Sequence, residues 1–369
     1  MVTSKRKIFR EIMTMTYKLT SDDVDRIQFN SRYQLQSQSP CCCCKFGLLN
    51  PEAMRVAGLI GKGSFGEVYL VDFGPNKASF ALKAVEKAKM SGVHRSHIVN
   101  ERRIMSCVNH PFLVQCAGHW QTRTHLYLVM EYVGGQDLYS LLAKNGYFGK
   151  NVATFYLSEV LISLEYLHNL GIVYRDLKLE NILVDLTGHI KIVDFGFSKK
   201  MVRSNTICGT SEYLAPELFR GESYDKGEIS SEFKMIQHTY KEFSLSGVDW
   251  WAFGVLTYEL RCGYTPFRSS NPDPYKRQKE IEPKVMAMQF GKVEFPSDRQ
   301  LQDDFKDLVS RLLTWRASER LGVVGKVSDH QFFSRVNTGR VFRKVQPSVP
   351  SRSKRSRHKC FCRGRRYLF

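Results

Sequence analysis

Hydrophobic and polar positions change rhythm along this chain. From Val56 to Met130 short apolar runs dominate: Leu59-Ile60, Val68-Tyr69-Leu70-Val71, Phe80-Ala81-Leu82-Lys83-Ala84-Val85 and Leu126-Tyr127-Leu128-Val129-Met130. Such runs, rich in β-branched and aromatic residues, predict strands. One helical stretch, Ser96 to Cys107, interrupts them and ends before Pro111. Glu131-Tyr132-Val133-Gly134-Gly135 reads as a hinge. Beyond it apolar residues recur at helical spacing over Asp137–Ala143, Val152–His168, a very apolar helix beginning at Val248, and Phe305–Leu313. Within this helical half, Ile182-Leu183-Val184 and Ile190-Lys191-Ile192-Val193 flank the turn signal Asp185-Leu186-Thr187-Gly188, which predicts a hairpin. Residues 1–53 show no period and read as a disordered extension.

The candidate chemistry sits on that frame. Tyr174-Arg175-Asp176-Leu177-Lys178-Leu179-Glu180-Asn181 packs two acids, two bases and an amide against the first strand of the hairpin. Asp194-Phe195-Gly196 ends the second strand, so the hairpin brings Asn181 and Asp194 close. An amide oxygen and a carboxylate beside a further Asp are hard-oxygen ligands suited to phosphate-bound magnesium. Upstream, Gly61-Lys62-Gly63-Ser64-Phe65-Gly66 lies between two strands, where glycines let backbone N–H groups approach phosphates. Lys83 shares a strand face with Ala81 and Val85, and a buried lone ammonium is costly. Glu101 interrupts the apolar stripe Ile98–Met105 of the helix and is its expected partner.

Composition adds bounds. The 369 residues are 43% apolar and 25% charged, ordinary for a globular chain, yet the net charge is +19. Twelve Lys and Arg lie between Arg335 and Phe369 with no acid among them, leaving +7 elsewhere. The basicity therefore belongs mostly to a tail, residues 334–369. Ten cysteines include the adjacent Cys41 to Cys44, read as a compositional cluster, with acylation as the alternative. Their spacing is neither a secreted disulfide framework nor a zinc site, and no apolar run is long enough to span a bilayer. A reducing, cytoplasmic or nuclear setting is expected.

Taken in order, the glycine loop, Ala81-x-Lys83, Glu101, Arg175-Asp176 to Asn181, Asp194-Phe195-Gly196 and Ala215-Pro216-Glu217 resemble the protein kinase signature set over residues 54–333. Tyr174-Arg175-Asp176 and Cys208-Gly209-Thr210 resemble the AGC group, and within it the cAMP-dependent kinases. The resemblance implies an α+β bilobal fold, with a small antiparallel β-sheet lobe carrying one main helix (about 54–132) and a larger, mainly helical lobe (about 133–333). It implies ATP and Mg2+ as cofactors, and serine/threonine phosphotransfer. Asp176, Lys178, Lys83 and Glu101 are the implied catalytic residues. Gly61, Gly63, Gly66, Val68, Ala81, Lys83, Met130, Glu131, Val133 and Leu183 are implied to bind ATP. Asn181 and Asp194 would hold the metal. Asp137, Glu180, Glu259 and Thr210 would bind substrates bearing arginines before the target Ser/Thr, and Thr206, with Arg175, Lys199 and His97, would form an activation-loop phosphosite.

The departures are specific. About twenty extra residues lie between Tyr224 and Val248, Ser211 replaces the usual Pro, and Asn205 replaces a Trp that helps dock an inhibitory regulatory subunit. The acidic, aromatic tail usual in the group gives way to a basic stretch, suited to an anionic membrane or nucleic acid. Three readings follow: an active kinase, a pseudokinase or scaffold with weak activity, and an anion-binding protein.

Overall fold

The computed structural model describes residues 54–63, 66–73, 78–90, 92–200, 210–219, 231–334 and 336. The extension with Cys41 to Cys44, Thr206, Asn205 and the basic tail from 337 lie outside them. Strands β1 (Met54–Gly63), β2 (Gly66–Phe73), β3 (Ala78–Glu86), β4 (Cys116–Gln121) and β5 (His125–Glu131) form an antiparallel sheet in the order β1-β2-β3-β5-β4. Helix α1 (Gly92–Cys107) is inserted between β3 and β4. The side chains of the sheet alternate as a two-residue period demands. Tyr69, Val71, Phe80, Leu82, Tyr127 and Val129 bury against one another on one face. Leu128, between the last two, joins the main core with Ile104 and Met105 of α1.

The chain then runs through β6 (Gly135–Asp137), α2 (Leu138–Asn145), α3 (Lys150–Asn169), β7 (Ile172–Val173), β8 (Ile182–Asp185), β9 (Ile190–Ile192) and β10 (Lys199–Lys200). It finishes through α4 (Pro216–Phe219), α5 (Ser231–Cys262), α6 (Pro274–Ala287) and α7 (Asp303–Leu312). The sequence hairpin is present: β8 pairs antiparallel with β9, and β6 lies on the other edge of β8. A small strand-rich lobe thus precedes a mainly helical one, an α+β arrangement.

Helix α5 is the post of the larger lobe. Trp250, Trp251, Phe253, Val255, Leu256 and Leu260 are all buried, so the helix is enclosed over that stretch. It begins at Ser231, not at Val248 as the apolar pattern suggests, and so runs through much of the inserted stretch. Gly247 disguises this continuity, since an interior glycine lowers helix propensity. Its reason is packing: a Cβ there would lie 3.3 Å from both Ala317 and the Arg320 guanidinium. Arg320 Nη1 donates to the Gly247 carbonyl oxygen at 2.7 Å and to Glu217 at 2.8 Å, and Arg320 is fully buried.

Removing one partner of such a pair strands the other charge inside the protein. Arg320→Met is expected to lower stability by about 3–5 kcal/mol, read as a drop in the urea midpoint. Combining it with Glu217→Leu should recover part of that loss. A midpoint equal to the parent's in the single variant would show that the pair does not hold the lobe together.

Candidate active site

The segment between β7 and β8 is shaped by a single carboxylate. Asp249, fully buried on α5, accepts from the backbone N–H of Tyr174 at 2.8 Å and of Arg175 at 2.7 Å, and pairs with His168 at 2.8 Å. Those bonds hold Arg175 at φ 65°, a left-handed conformation that costs a non-glycine residue about 1–3 kcal/mol. The turn delivers Asp176 into the interior at 4% exposure. Lys178 Nζ donates to both Asp176 oxygens at 3.0 and 3.1 Å, and the Asn181 amide nitrogen donates at 2.7 Å. Burial pushes the Asp176 carboxyl up, with Lys178 and Asn181 opposing. Asp249 is absent from the sequence-derived site, although a lone acid within Val248-Asp249-Trp250-Trp251 carries the same signal that exposed Glu101.

The second half of the site comes from the other lobe. Lys83 on β3 donates to both Glu101 oxygens at 2.9 Å and stands 3.9 Å from Asp194 Oδ1. Burial works against the ammonium, but the Glu101 and Asp194 carboxylates outweigh it and hold Lys83 above the usual lysine range. Asp194 itself is at φ 59°, and its Oδ1 accepts from Gly196 N at 3.1 Å. Phe195 behind it is fully buried, edge-on to Tyr174. The Val193 amide donates to the Asn181 carbonyl oxygen at 2.9 Å, so the hairpin register sets Asn181 beside the strand end that carries Asp194.

The glycine turn lies above. Gly63 faces Gly66 across the tip, and residues 64–65 lie outside the described set. Gly66 sits at φ 142°, and a Cβ there would stand 2.2 Å from the Ala84 carbonyl oxygen. Only glycine closes this turn. Gly61 and Val68 are cross-strand partners, Val68 faces Lys83, and Ala81 faces Met130. Leu183, Val133 and Glu131 stand across the hinge on or next to β8, β6 and β5. Such a cradle fits a phosphate chain, and an amide with one or two carboxylates fits magnesium that keeps phosphate oxygens as further ligands.

Around the mouth the acids gather. Tyr213 OH donates to Glu259, which is 8% exposed, and Glu259 feels the like charges of Glu180 and Glu212. Glu212 and Tyr213 are missing from the residues chosen on sequence; only the fold brings them to Glu259. Thr210, Arg175 and Asp176 line one small cavity. Asp137 is otherwise engaged: as N-cap of α2 it accepts from Ser140 N at 2.7 Å and from the Ser140 hydroxyl at 2.8 Å. Arg175 and His97 of the phosphosite set meet at Phe197, through a 2.7 Å bond to its carbonyl oxygen and an edge-on ring contact.

Burial, with Glu180 and Glu212 adding to it, pushes Glu259 up to about 8 from the ordinary glutamate value of 4.5. Between those values the folded chain holds a proton that the unfolded chain releases, so this group's contribution to stability falls as pH rises through the window. Glu259→Gln is neutral at every pH. Its melting temperature relative to the parent should therefore climb from pH 5 to pH 8 and level off above, as read by thermal denaturation. A pH-independent difference would contradict this protonation.

The protein kinase domain family matches residues 54–333. The human cAMP-dependent protein kinase catalytic subunit PRKX is 38% identical over 325 residues, 84% of this chain and 82% of its own length. The Saccharomyces cerevisiae cAMP-dependent protein kinase type 3 is 38% identical over 298 residues, 79% of this chain and 66% of its own. The cAMP-dependent protein kinase catalytic subunit of Dictyostelium discoideum is 37% identical over 300 residues, 79% of this chain and 42% of its own. The chain belongs to the protein kinase domain family, and within it resembles the catalytic subunits of cAMP-dependent protein kinase.

Proposed function

We propose that this chain transfers the γ-phosphoryl group of magnesium ATP to serine or threonine hydroxyls of proteins, in sequences with arginine ahead of the target. The observation that carries the reading is the convergence of two ion clusters, Lys83–Glu101 of the small lobe reaching Asp194 of the large one, and Asp176–Lys178–Asn181 within the large lobe. Each holds its charges by mutual pairing, so the charges are in place before substrate arrives. Preorganised charge of this kind is the main source of rate in phosphoryl transfer.

Bound, magnesium ATP supplies the phosphoryl group and the cations that neutralise it, and Asn181 and Asp194 are the residues that would hold those cations. Lys83, fixed by Glu101, offers its ammonium to the phosphates. Asp176 orients the substrate hydroxyl and takes its proton, and Lys178, already on the Asp176 carboxylate, steadies the transferred group. Asp176 needs no proton affinity near neutrality for this role, because it accepts the proton late. The acidic trio Glu180, Glu212 and Glu259 supports the arginine preference, since carboxylates pair with guanidinium bidentately. Asp137, spent on capping α2, supports it less.

Lys83→Met and Asp194→Ala should each abolish phosphate incorporation, a loss of several kcal/mol in transition-state stabilisation. The melting temperature should stay near the parent's in Asp194→Ala and fall in Lys83→Met, which strands the buried Glu101. Parent-level incorporation by either variant would refute the assignment. The substrate reading is tested separately with serine peptides that carry or lack arginines at the two and three positions before the target. Glu259→Gln and Glu180→Gln should raise KM for the arginine peptides by about tenfold or more, in line with about 1.4 kcal/mol per lost charge-assisted contact. Equal KM across the peptides in the parent would leave a kinase without this preference.

A further inference from the structure

We infer that Lys191 and Glu131 form a latch across the hinge, with Lys191 a positioning residue for the nucleotide. The inference rests on the kinase reading above. Glu131 is the last residue of β5, where the small lobe ends and the hinge begins. Its carboxylate is fully used: Oε1 accepts from Lys191 Nζ at 2.8 Å and from the Gln115 amide at 2.8 Å, and Oε2 accepts from Lys191 at 3.0 Å. Its own amide donates to the Gln115 carbonyl oxygen at 3.0 Å. Lys191 comes from the other side. It is the middle residue of β9, between the buried Ile190 and Ile192, and pairs in register with Leu183. Its side chain is 16% exposed and that of Glu131 23%, so water screens the pair only in part.

The contacts close a circuit. Ile192 of β9 binds the main chain of Phe112 at 2.8 Å and of Val114 at 3.0 Å, which fixes the approach to β4 on the large-lobe hairpin. From there Gln115 holds Glu131, and Glu131 holds Lys191, which returns to β9. A ring of backbone and side-chain bonds thus joins the strand leading to Asp194 with the strand end at Glu131, whose backbone, with that of Val133, the kinase resemblance implies to bond the adenine of ATP. Opening the hinge by rotation about Tyr132–Gly134 must stretch the Lys191–Glu131 pair, the one link in the ring that is not backbone-anchored at both ends. The pair therefore sets how far the strand end at Glu131 and the neighbouring Val133 wander from the adenine position, and does so without touching a reacting atom.

The test separates affinity from turnover. Binding of a fluorescent ADP analogue with magnesium, and KM for ATP and kcat with a serine peptide, are measured for the full chain and its variants. Lys191→Met should weaken nucleotide binding and raise KM for ATP about three- to tenfold, with kcat within about twofold of the parent, as expected for a partly screened ion pair. Glu131→Gln, which keeps the backbone, should do the same. The double variant should be no worse than either single one, and the reversed pair, Lys191→Glu with Glu131→Lys, should recover most of the affinity. Unchanged nucleotide affinity in Lys191→Met, even with a lower melting temperature, would reduce the pair to a structural contact and overturn the latch. So would additive losses with no recovery in the reversed pair. A parent that binds no nucleotide at all would instead bring down the kinase reading, and the latch with it.

Discussion

One buried carboxylate holds the reacting loop in a shape it would not adopt alone. Asp249 has two oxygens, and together they take two consecutive backbone N–H groups and an imidazole. A backbone N–H buried without an acceptor costs free energy comparable to a lost hydrogen bond. The Tyr174–Arg175 turn presents two of them, and Arg175 is already strained at positive φ. Asp249 answers both, and it does so from the buried stretch of α5. The loop bearing Asp176 is therefore fixed to the large-lobe core by electrostatics, and its strain is borne by packing that is 75 residues away in sequence.

From that anchor the rest of the site can be traced by contact. Ser198 donates to the Tyr174 carbonyl oxygen, the Tyr174 hydroxyl reaches the Val193 carbonyl oxygen, and Phe195 lies on the Tyr174 ring. The segment that presents Asp194 is thus held by the same turn that presents Asp176. Asp194 in turn faces Lys83, and Lys83 faces Glu101 on α1. Beyond the core that Ile104, Met105 and Leu128 share with the large lobe, the two lobes are joined through charges that need one another. A displaced α1 would leave Lys83 with a single, longer contact, which is a physical reason for the position of that helix to govern the competence of the site.

How much of this was legible in the chain depended on whether the signal was local. Lys83 and Glu101 announce themselves because each places a charge on an apolar face, and burial makes a lone charge expensive. The β8–β9 hairpin is a pattern of two runs and a turn, so the approach of Asn181 to Asp194 is readable without a fold. Asp249 obeys the same displaced-charge rule as Glu101, yet its partners are backbone amides, which have no signature in a sequence. Glu212 and Tyr213 were inconspicuous for a related reason: their meaning comes from Glu259, 46 residues on from Tyr213, across a tertiary contact. The early start of α5 was hidden by Gly247, a residue that reads as a break and is in fact room for Arg320. Asp137 carries two signals at once. An acid immediately before an apolar helix is a cap signal as well as a ligand signal, and the capping bonds to Ser140 are the ones the structure shows.

Net charge was the least informative number about the site. The chain carries +19, yet the mouth of its cleft gathers Glu180, Glu212 and Glu259, with like charge strong enough to help push Glu259 to about 8. Twelve of the positive charges lie past residue 334, after the last site residue in the sequence. The acids act on one another over short distances, and burial of Glu259 adds to their effect. On the proposed substrate reading, a cationic side chain that pairs with Glu259 would first have to displace its proton. Binding of a basic substrate would then be coupled to proton release, from a carboxyl that until that point is bonded to the Tyr213 hydroxyl.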